Sequence, residues 1–153
     1  MDILSRYHDT TVEHIWSEDN RYALFYDVEL AYLKAEALLG KLPSAIPAYL
    51  ENNRPYFSAE EIKAEEKTTR HEVVAFINVV SRKLDKYTEY FHRGLTSSDI
   101  MDTVFSLQIK QSLNYVNTLT DEAIKALAEK AEEFKYAPCA GRTHGVHAEP
   151  YFF

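Results

Sequence analysis

The sequence predicts a mainly α-helical fold, and two features of the chain carry that prediction. Only four glycines occur in 153 residues, and the stretch from Asp99 to Lys135 contains neither glycine nor proline. Elsewhere, apolar residues recur at steps of three and four, the spacing that places side chains on one face of a helix. Alternating strand patterns are nearly absent, so we expect at most short strands near the last loop.

The first part of the chain predicts three helices with identifiable ends. Ser17 can cap a helix over residues 18–39, which Gly40 then stops. The two prolines that follow mark a turn and a short helix within residues 43–53. A further helix begins after Ser58, because Ser-Ala-Glu-Glu is a capping-box pattern.

The rest of the chain predicts two more helices and one extended piece. Residues 71–84 place their apolar side chains on one helix face. The turn over residues 94–99 ends in good helix-capping residues. Residues 99–135 then form one long helix, or two with a break near Thr118–Thr120. Residues 136–139 could be a short extended segment.

Composition narrows the classes of protein to which the chain can belong. The length suits one compact domain, and the net charge of −7 makes a general nucleic-acid binder a weak hypothesis. An anionic small-molecule substrate stays possible, because local arginines can override the global charge. We expect no membrane span, and Cys139 cannot form an internal disulfide, so we expect a cytoplasmic protein. The strongly apolar ending at Phe153 leads us to expect a piece of a longer protein.

Polar residues gather in four clusters, at Ser5–Tyr7, Arg70–Glu72, His92–Asp99 and Arg142–Glu149. Each cluster also has a structural explanation: Arg6 as a solvated charge, His71 as a capping residue, and the hydroxyls of residues 96–98 as helix caps. Capping and function are compatible, because a helix N-terminus is a ready site for a carboxylate or phosphate.

The run Gly141–Pro150 is the most informative of these segments. It concentrates two imidazoles, a guanidinium, a carboxylate and a hydroxyl around two glycines, which is typical of an active-site loop. The structural alternative for His144 is a loop histidine held by a hydrogen bond, but its neighbours favour acid–base chemistry. We expect no cofactor and no metal, because Gly145 and Pro150 argue against His144 and His147 sharing a helix face.

These clusters, in this order, resemble motifs of the adenylosuccinate lyase family within the fumarase/aspartase superfamily. Residues 141–150 resemble the family's second signature region, and His92–Asp99 is similar to its first, H-x-G-L-T-S-x-D. Ser5–Tyr7 matches S-R-Y, and His71–Val73 resembles H-D-V with Glu72 in place of aspartate. The resemblance covers the whole chain, and it implies the N-terminal helical domain of the fumarase/aspartase-type lyase fold.

The resemblance implies a reaction, the β-elimination of fumarate from adenylosuccinate to give AMP. The family performs the same step on the succinylated aminoimidazole carboxamide ribotide. By resemblance, His144 is the general acid, with Thr143 beside it. The implied substrate-binding residues are Arg6 and Tyr7 at the nucleotide end, Thr96 and Ser97 at the carboxylate, and Arg70, His71, Glu72 and His92 along the pocket.

The resemblance also implies what this chain lacks. The family's S-S-x-M-P-x-K-x-N loop, with the serine believed to be the general base, does not occur here, so we expect the chain alone to be inactive. Family members are homotetramers whose active sites are shared between subunits. We expect residues 1–98 to be the helical domain with nucleotide-site residues, and residues 99–153 to begin the central helical region and carry the histidine loop.

Two other functions stay open at this point. One is a different fumarate-releasing lyase of the same superfamily. The other is a non-catalytic helical module whose histidines and arginines bind an anion or a partner helix.

Overall fold

The computed structural model describes residues 6–152, and within this range the chain forms six α-helices and one two-stranded antiparallel sheet. The helices are α1 (Thr10–Ile15), α2 (Glu18–Leu38), α3 (Ala45–Asn52), α4 (Ala59–Thr69), α5 (Glu72–Lys83) and α6 (Ser97–Phe134). A 3-10 turn spans Thr88–Tyr90, and the strands are β1 (Pro138–Thr143) and β2 (Val146–Phe152). The mainly helical prediction is confirmed.

Side-chain caps fix where the predicted helices begin. The Ser17 hydroxyl accepts the backbone N–H of Asn20 at 3.2 Å, which opens α2. Ser58 opens α4 with a complete capping box, in which the Glu61 carboxylate accepts the N–H of Ser58 in return. Helix α1 was not predicted. Its cap is Asp9, whose carboxylate accepts two backbone N–H groups, but six residues are too few to show a helical period.

The residues divide into two compact units, one extending to Ser112 and the other beginning at Leu113. The first unit holds the buried core, which is rich in aromatic rings. Phe25 of α2 packs edge-on against Phe76 of α5, with ring centres 5.5 Å apart. The Tyr26 hydroxyl donates to the backbone carbonyl of Leu50 at 2.7 Å, which ties α2 to α3. These contacts make α2 the element around which the first unit is built.

Helix α6 is continuous, so the alternative of a break near residues 118–120 was wrong. Threonine has a low helix propensity because its side chain is branched. Here the Thr118 hydroxyl donates to the carbonyl of Asn114 at 3.1 Å, and the Thr120 hydroxyl donates to that of Val116 at 2.8 Å. Both hydroxyls therefore find acceptors within the helix, where they share the carbonyls that accept the backbone N–H groups.

The second unit ends in a β-hairpin, where the sequence predicted a loop with short strands at most. Strand β1 pairs with β2 from Pro138↔Phe152 to Thr143↔Val146, with an irregularity between Ala140 and Arg142.

No helix among the described residues is both long enough and apolar enough to cross a bilayer.

Candidate active site

His71 links the start of α5 to the start of α6. Its extended backbone places it at the N-cap of α5, where ring Nδ1 accepts the N–H of Val74 at 3.4 Å. Ring Nε2 lies 3.2 Å from the Ser97 hydroxyl oxygen. Because Nδ1 accepts a hydrogen bond, Nε2 carries the hydrogen in the neutral ring, and Ser97 accepts it. The capping role predicted for His71 is confirmed, and the same ring reaches a second predicted site residue.

The first turn of α6 offers free backbone N–H groups beside hydroxyl side chains. Ser97 is the first helical residue, and the exposed Thr96 precedes it. The Thr96 N–H donates to the Asp99 carboxylate at 2.8 Å, and the Asp99 N–H donates back to the Thr96 carbonyl at 3.0 Å. This local pairing fixes the turn. A helix start of this kind can bind a carboxylate or phosphate through its N–H groups and partial positive charge.

His92 is held by Glu29, a carboxylate of α2 that is completely buried. One Glu29 oxygen accepts the backbone N–H of His92 at 2.9 Å, and the other lies 2.8 Å from ring Nδ1. Burial raises the pKa of Glu29, and the hydrogen bonds from His92 oppose that rise. The His92 backbone is left-handed, with φ of 58°. The His92 side chain keeps a fifth of its surface exposed.

The Glu72 side chain contacts two residues of α2 in the first unit. One carboxylate oxygen lies 2.7 Å from the Arg21 guanidinium, and the other accepts the Tyr22 hydroxyl at 3.0 Å. Burial raises the pKa of Tyr22, and the negative charge of Glu72 raises it further. Arg70 is exposed and ends α4 in a left-handed conformation, with φ of 55°. Glu72 therefore anchors the start of α5 to α2, next to His71.

Arg6 and Tyr7 are both exposed, and the Tyr7 side chain has 78% of its surface accessible. Ser5, the first residue of the S-R-Y motif, lies outside the described residues. An arginine on an open surface is free to present its planar fork of donors to a phosphate.

Thr143 and His144 lie at the tip of the hairpin in the second unit. Thr143 pairs with Val146, which leaves His144 and Gly145 as a two-residue turn. Both turn residues have positive φ, 50° for His144 and 80° for Gly145, as a type I′ turn requires. Glycine adopts this conformation without strain, whereas histidine does so uncommonly. The hairpin therefore presents an exposed imidazole at its tip.

The structure brings together only some of the predicted site residues by direct contact. His71 and Ser97 meet in the first unit. His92 and Glu72 instead contact residues of α2 that the sequence did not single out.

The sequence did contain a signal that could have identified Glu29 as important. It falls four residues after Phe25 and four before Leu33, on the buried face of α2, where a carboxylate requires a partner. Among residues 6–152, no group of three or more potential metal ligands occurs.

The chain is similar over almost its full length to curated lyases that are much longer. It is 36% identical to the adenylosuccinate lyase of Aquifex aeolicus and 37% identical to those of Streptococcus mutans and Bacillus subtilis. Each comparison covers 99% of this chain but only 35% of the relative. The chain thus spans about a third of the length of these relatives.

Two solved structures share the fold. A fumarate lyase from Mesorhizobium superposes with a TM-score of 0.80 at 28% identity, over 93% of this chain and 34% of its own. A 3-carboxy-cis,cis-muconate lactonizing enzyme from Pseudomonas putida gives 0.79 at 23% identity, over 99% of this chain and 36% of its own. The second likeness concerns the fold alone.

A family model described as Lyase matches residues 5–153, which is nearly the entire sequence. The match includes the hairpin with His144, the start of α6 and the His71 cap. The chain therefore belongs to this lyase family.

Proposed function

We propose that this chain is the N-terminal domain of an adenylosuccinate lyase. In this proposal the enzyme releases fumarate from adenylosuccinate to give AMP, and from the succinylated aminoimidazole carboxamide ribotide. The relatives named adenylosuccinate lyase support the substrate class, since they match the chain at 36–37% identity. Because the chain spans a third of their length, the rest of the catalytic apparatus lies in further residues of a longer polypeptide.

The observation that carries the proposal is the 3.2 Å approach of His71 Nε2 to the Ser97 hydroxyl. It joins two residues that are 26 positions apart in sequence, both from predicted substrate-binding clusters. The contact occurs at the first turn of α6, where backbone N–H groups favour an anion. A succinyl carboxylate bound there would accept hydrogen bonds from Thr96 and Ser97, and His71 would fix the orientation of the Ser97 hydroxyl.

The chemistry follows from where charge develops. A base removes a proton from the carbon next to the carboxylate, and the electron pair forms the double bond of fumarate as the carbon–nitrogen bond breaks. Negative charge grows on the carboxylate, so fixed donors at the start of α6 stabilise the transition state. The departing nitrogen takes a proton from His144, the general acid, with Thr143 beside it. The base is supplied from outside this chain.

The remaining site residues would bind the substrate without taking part in proton transfer. Arg6 and Tyr7 would hold the nucleotide end, while Arg70, Glu72 and His92 would shape the pocket together with His71. The proposed enzyme is a cytoplasmic homotetramer that takes active-site residues from several subunits. In it, residues 1–98 form the nucleotide-site domain, and residues 99–153 begin the central helical region.

The proposal is tested with the complete enzyme that carries this chain, assayed for fumarate release. We expect turnover of adenylosuccinate and of the succinylated ribotide. In Arg6→Ala, kcat/KM for adenylosuccinate should fall on the order of 10–100-fold, as expected for a lost hydrogen bond between charged groups. Lys34→Ala is the control, because Lys34 pairs with Glu51 on the surface of the first unit. Absence of fumarate release from both nucleotides would refute the proposal.

A second candidate is a lyase that releases fumarate from another adduct, which the TM-score of 0.80 with the Mesorhizobium fumarate lyase favours. A panel of adenylosuccinate, argininosuccinate, aspartate and malate separates the two candidates. Preference for a substrate without a phosphate, together with indifference to Arg6→Ala, would select this second function.

A further inference from the structure

Glu29 is an ionisable side chain that is completely buried in the middle of α2. Its neighbours along the buried face of the helix, Phe25 and Leu33, are apolar. A carboxylate in such surroundings is costly unless its oxygens are hydrogen-bonded. Retaining it at this position therefore calls for a specific partner.

That partner is His92, which makes two contacts with the Glu29 carboxylate. One carboxylate oxygen accepts the His92 backbone N–H, and the other meets ring Nδ1. The first contact holds the left-handed backbone at residue 92, and the second sets the rotation of the ring. With Nδ1 on the buried carboxylate, Nε2 is the ring nitrogen left for another partner, and the side chain keeps a fifth of its surface exposed.

We propose that Glu29 is a positioning residue for the lyase site, which acts by holding His92 so that ring Nε2 meets the substrate. This inference rests on the proposed function, because it assigns His92 to the substrate pocket. Glu29 itself does not touch the substrate. Its effect passes through the imidazole, in the way that a buried hydrogen-bond partner sets the orientation of a functional histidine.

The first test needs no activity and uses the complete enzyme that carries this chain. Side-chain ¹H–¹⁵N spectra of the histidines report which ring nitrogen carries hydrogen. In the wild type, His92 should show one ordered state with Nδ1 in a hydrogen bond. In Glu29→Leu the ring should average between its two neutral forms, as an unrestrained imidazole does. Identical His92 signals in both proteins would overturn the proposal.

The second test uses the complete enzyme and a double-mutant cycle. Glu29→Leu should lower kcat/KM on the order of 10–100-fold, and His92→Ala should lower it by a similar factor. If Glu29 acts through His92, the double variant should be no worse than His92→Ala alone. A fully additive loss in the double variant would mean that Glu29 acts elsewhere, and would overturn the proposal.

Glu29→Gln keeps the test decisive in the event that Glu29→Leu does not fold. Glutamine keeps the volume, accepts the His92 N–H and can donate to Nδ1. It should restore ring order relative to Glu29→Leu, with the ring hydrogen moved from Nδ1 to Nε2, because the amide donates where the carboxylate accepts. Failure to restore ring order, in a folded protein, contradicts the positioning role. Glu51→Gln is the matched control, since Glu51 pairs with Lys34 on the surface and should have no effect.

The two proposals fail in different ways. If the wild-type enzyme releases no fumarate, the proposed function is wrong, whereas the His92 spectra still test the geometry. If the wild type is active but Glu29→Leu is equally active, only the positioning role is wrong.

Discussion

At the scale of single residues, the clusters predicted to bind the substrate also stabilise the fold. His71 caps α5 and contacts Ser97, while Glu72 ties α5 to α2 through Arg21 and Tyr22. Sequence motifs identified these positions but not their partners. Glu29 was missed because its partner, His92, lies 63 positions away in sequence, in the turn before α6.

Gly94 precedes the helix start that is proposed to bind the substrate carboxylate, and two constraints act on it. Its φ is +85°, and a Cβ atom there would lie 2.9 Å from the Tyr32 hydroxyl. Gly40 has a similar φ of +72° with nothing within 4 Å of its Cβ position. We predict that Gly40→Ala costs about 1–2 kcal/mol from its backbone conformation alone, and that Gly94→Ala costs more.

Chemical denaturation of the chain checks this difference, with Tyr32→Phe as the diagnostic background. Removing the hydroxyl should bring the cost of Gly94→Ala down to that of Gly40→Ala, because the nearest remaining ring atom is 3.9 Å away. Equal costs for the two glycines in the wild-type background would contradict the steric explanation.

Tyr26 predicts a loss of stability at alkaline pH. Burial raises its pKa to about 12, against an ordinary value of about 10. The folded state therefore favours the neutral phenol. Its contribution to stability is complete below about pH 10 and is lost as pH rises toward about 12. In Tyr26→Phe, the free energy of unfolding should fall less steeply over this interval. Parallel pH profiles for the two proteins would show that this phenol does not contribute.

At the scale of elements, the sequence predicted well wherever local chemistry decides the outcome. Helices α2 and α4 begin at the serines that the capping patterns identified. The hairpin was less predictable, because its strands lack alternation and their pairing depends on a tight turn with positive φ at His144 and Gly145. A histidine in that conformation is uncommon, so nothing in the local pattern selected a type I′ turn over an irregular loop.

The capping box of α4 gives a prediction at this scale. Ser58→Ala removes the acceptor for the Glu61 N–H and should lower the free energy of unfolding by about 1 kcal/mol. Ser44→Ala is the matched control, because Ser44 precedes α3 without a side-chain cap hydrogen bond and should change little. Both are measured by chemical denaturation, and equal losses would show that the box does not stabilise α4.

At the scale of the whole molecule, the outstanding feature is apolar surface along the C-terminal part of α6. Leu113, Val116, Ile124 and Leu127 are each more than half exposed. Exposed apolar surface of this extent is typical of an interaction surface. These residues form a stripe on one face of the helix, but a stripe alone cannot tell a buried helix face from one that meets another subunit.

We predict that the chain associates in solution through this stripe. Sedimentation velocity should show species larger than a monomer. Replacing Leu113, Val116 and Leu127 with glutamine should shift them toward the monomer without loss of helix, because glutamine is a good helix former. Replacing the exposed Lys125, Glu129 and Glu132 with glutamine is the control, and should leave the association unchanged. A wild-type chain that stays monomeric at high concentration would contradict the prediction.

We propose that His144, at the tip of the hairpin, donates the proton that lets the substrate nitrogen depart. In the complete enzyme, the deciding measurement is kcat for adenylosuccinate together with the substrate dissociation constant, in wild type and in His144→Ala. His14→Ala is the control, with an exposed histidine of α1. We predict that His144→Ala lowers kcat by about 10²–10⁴-fold and leaves the dissociation constant nearly unchanged. An unchanged kcat would contradict it.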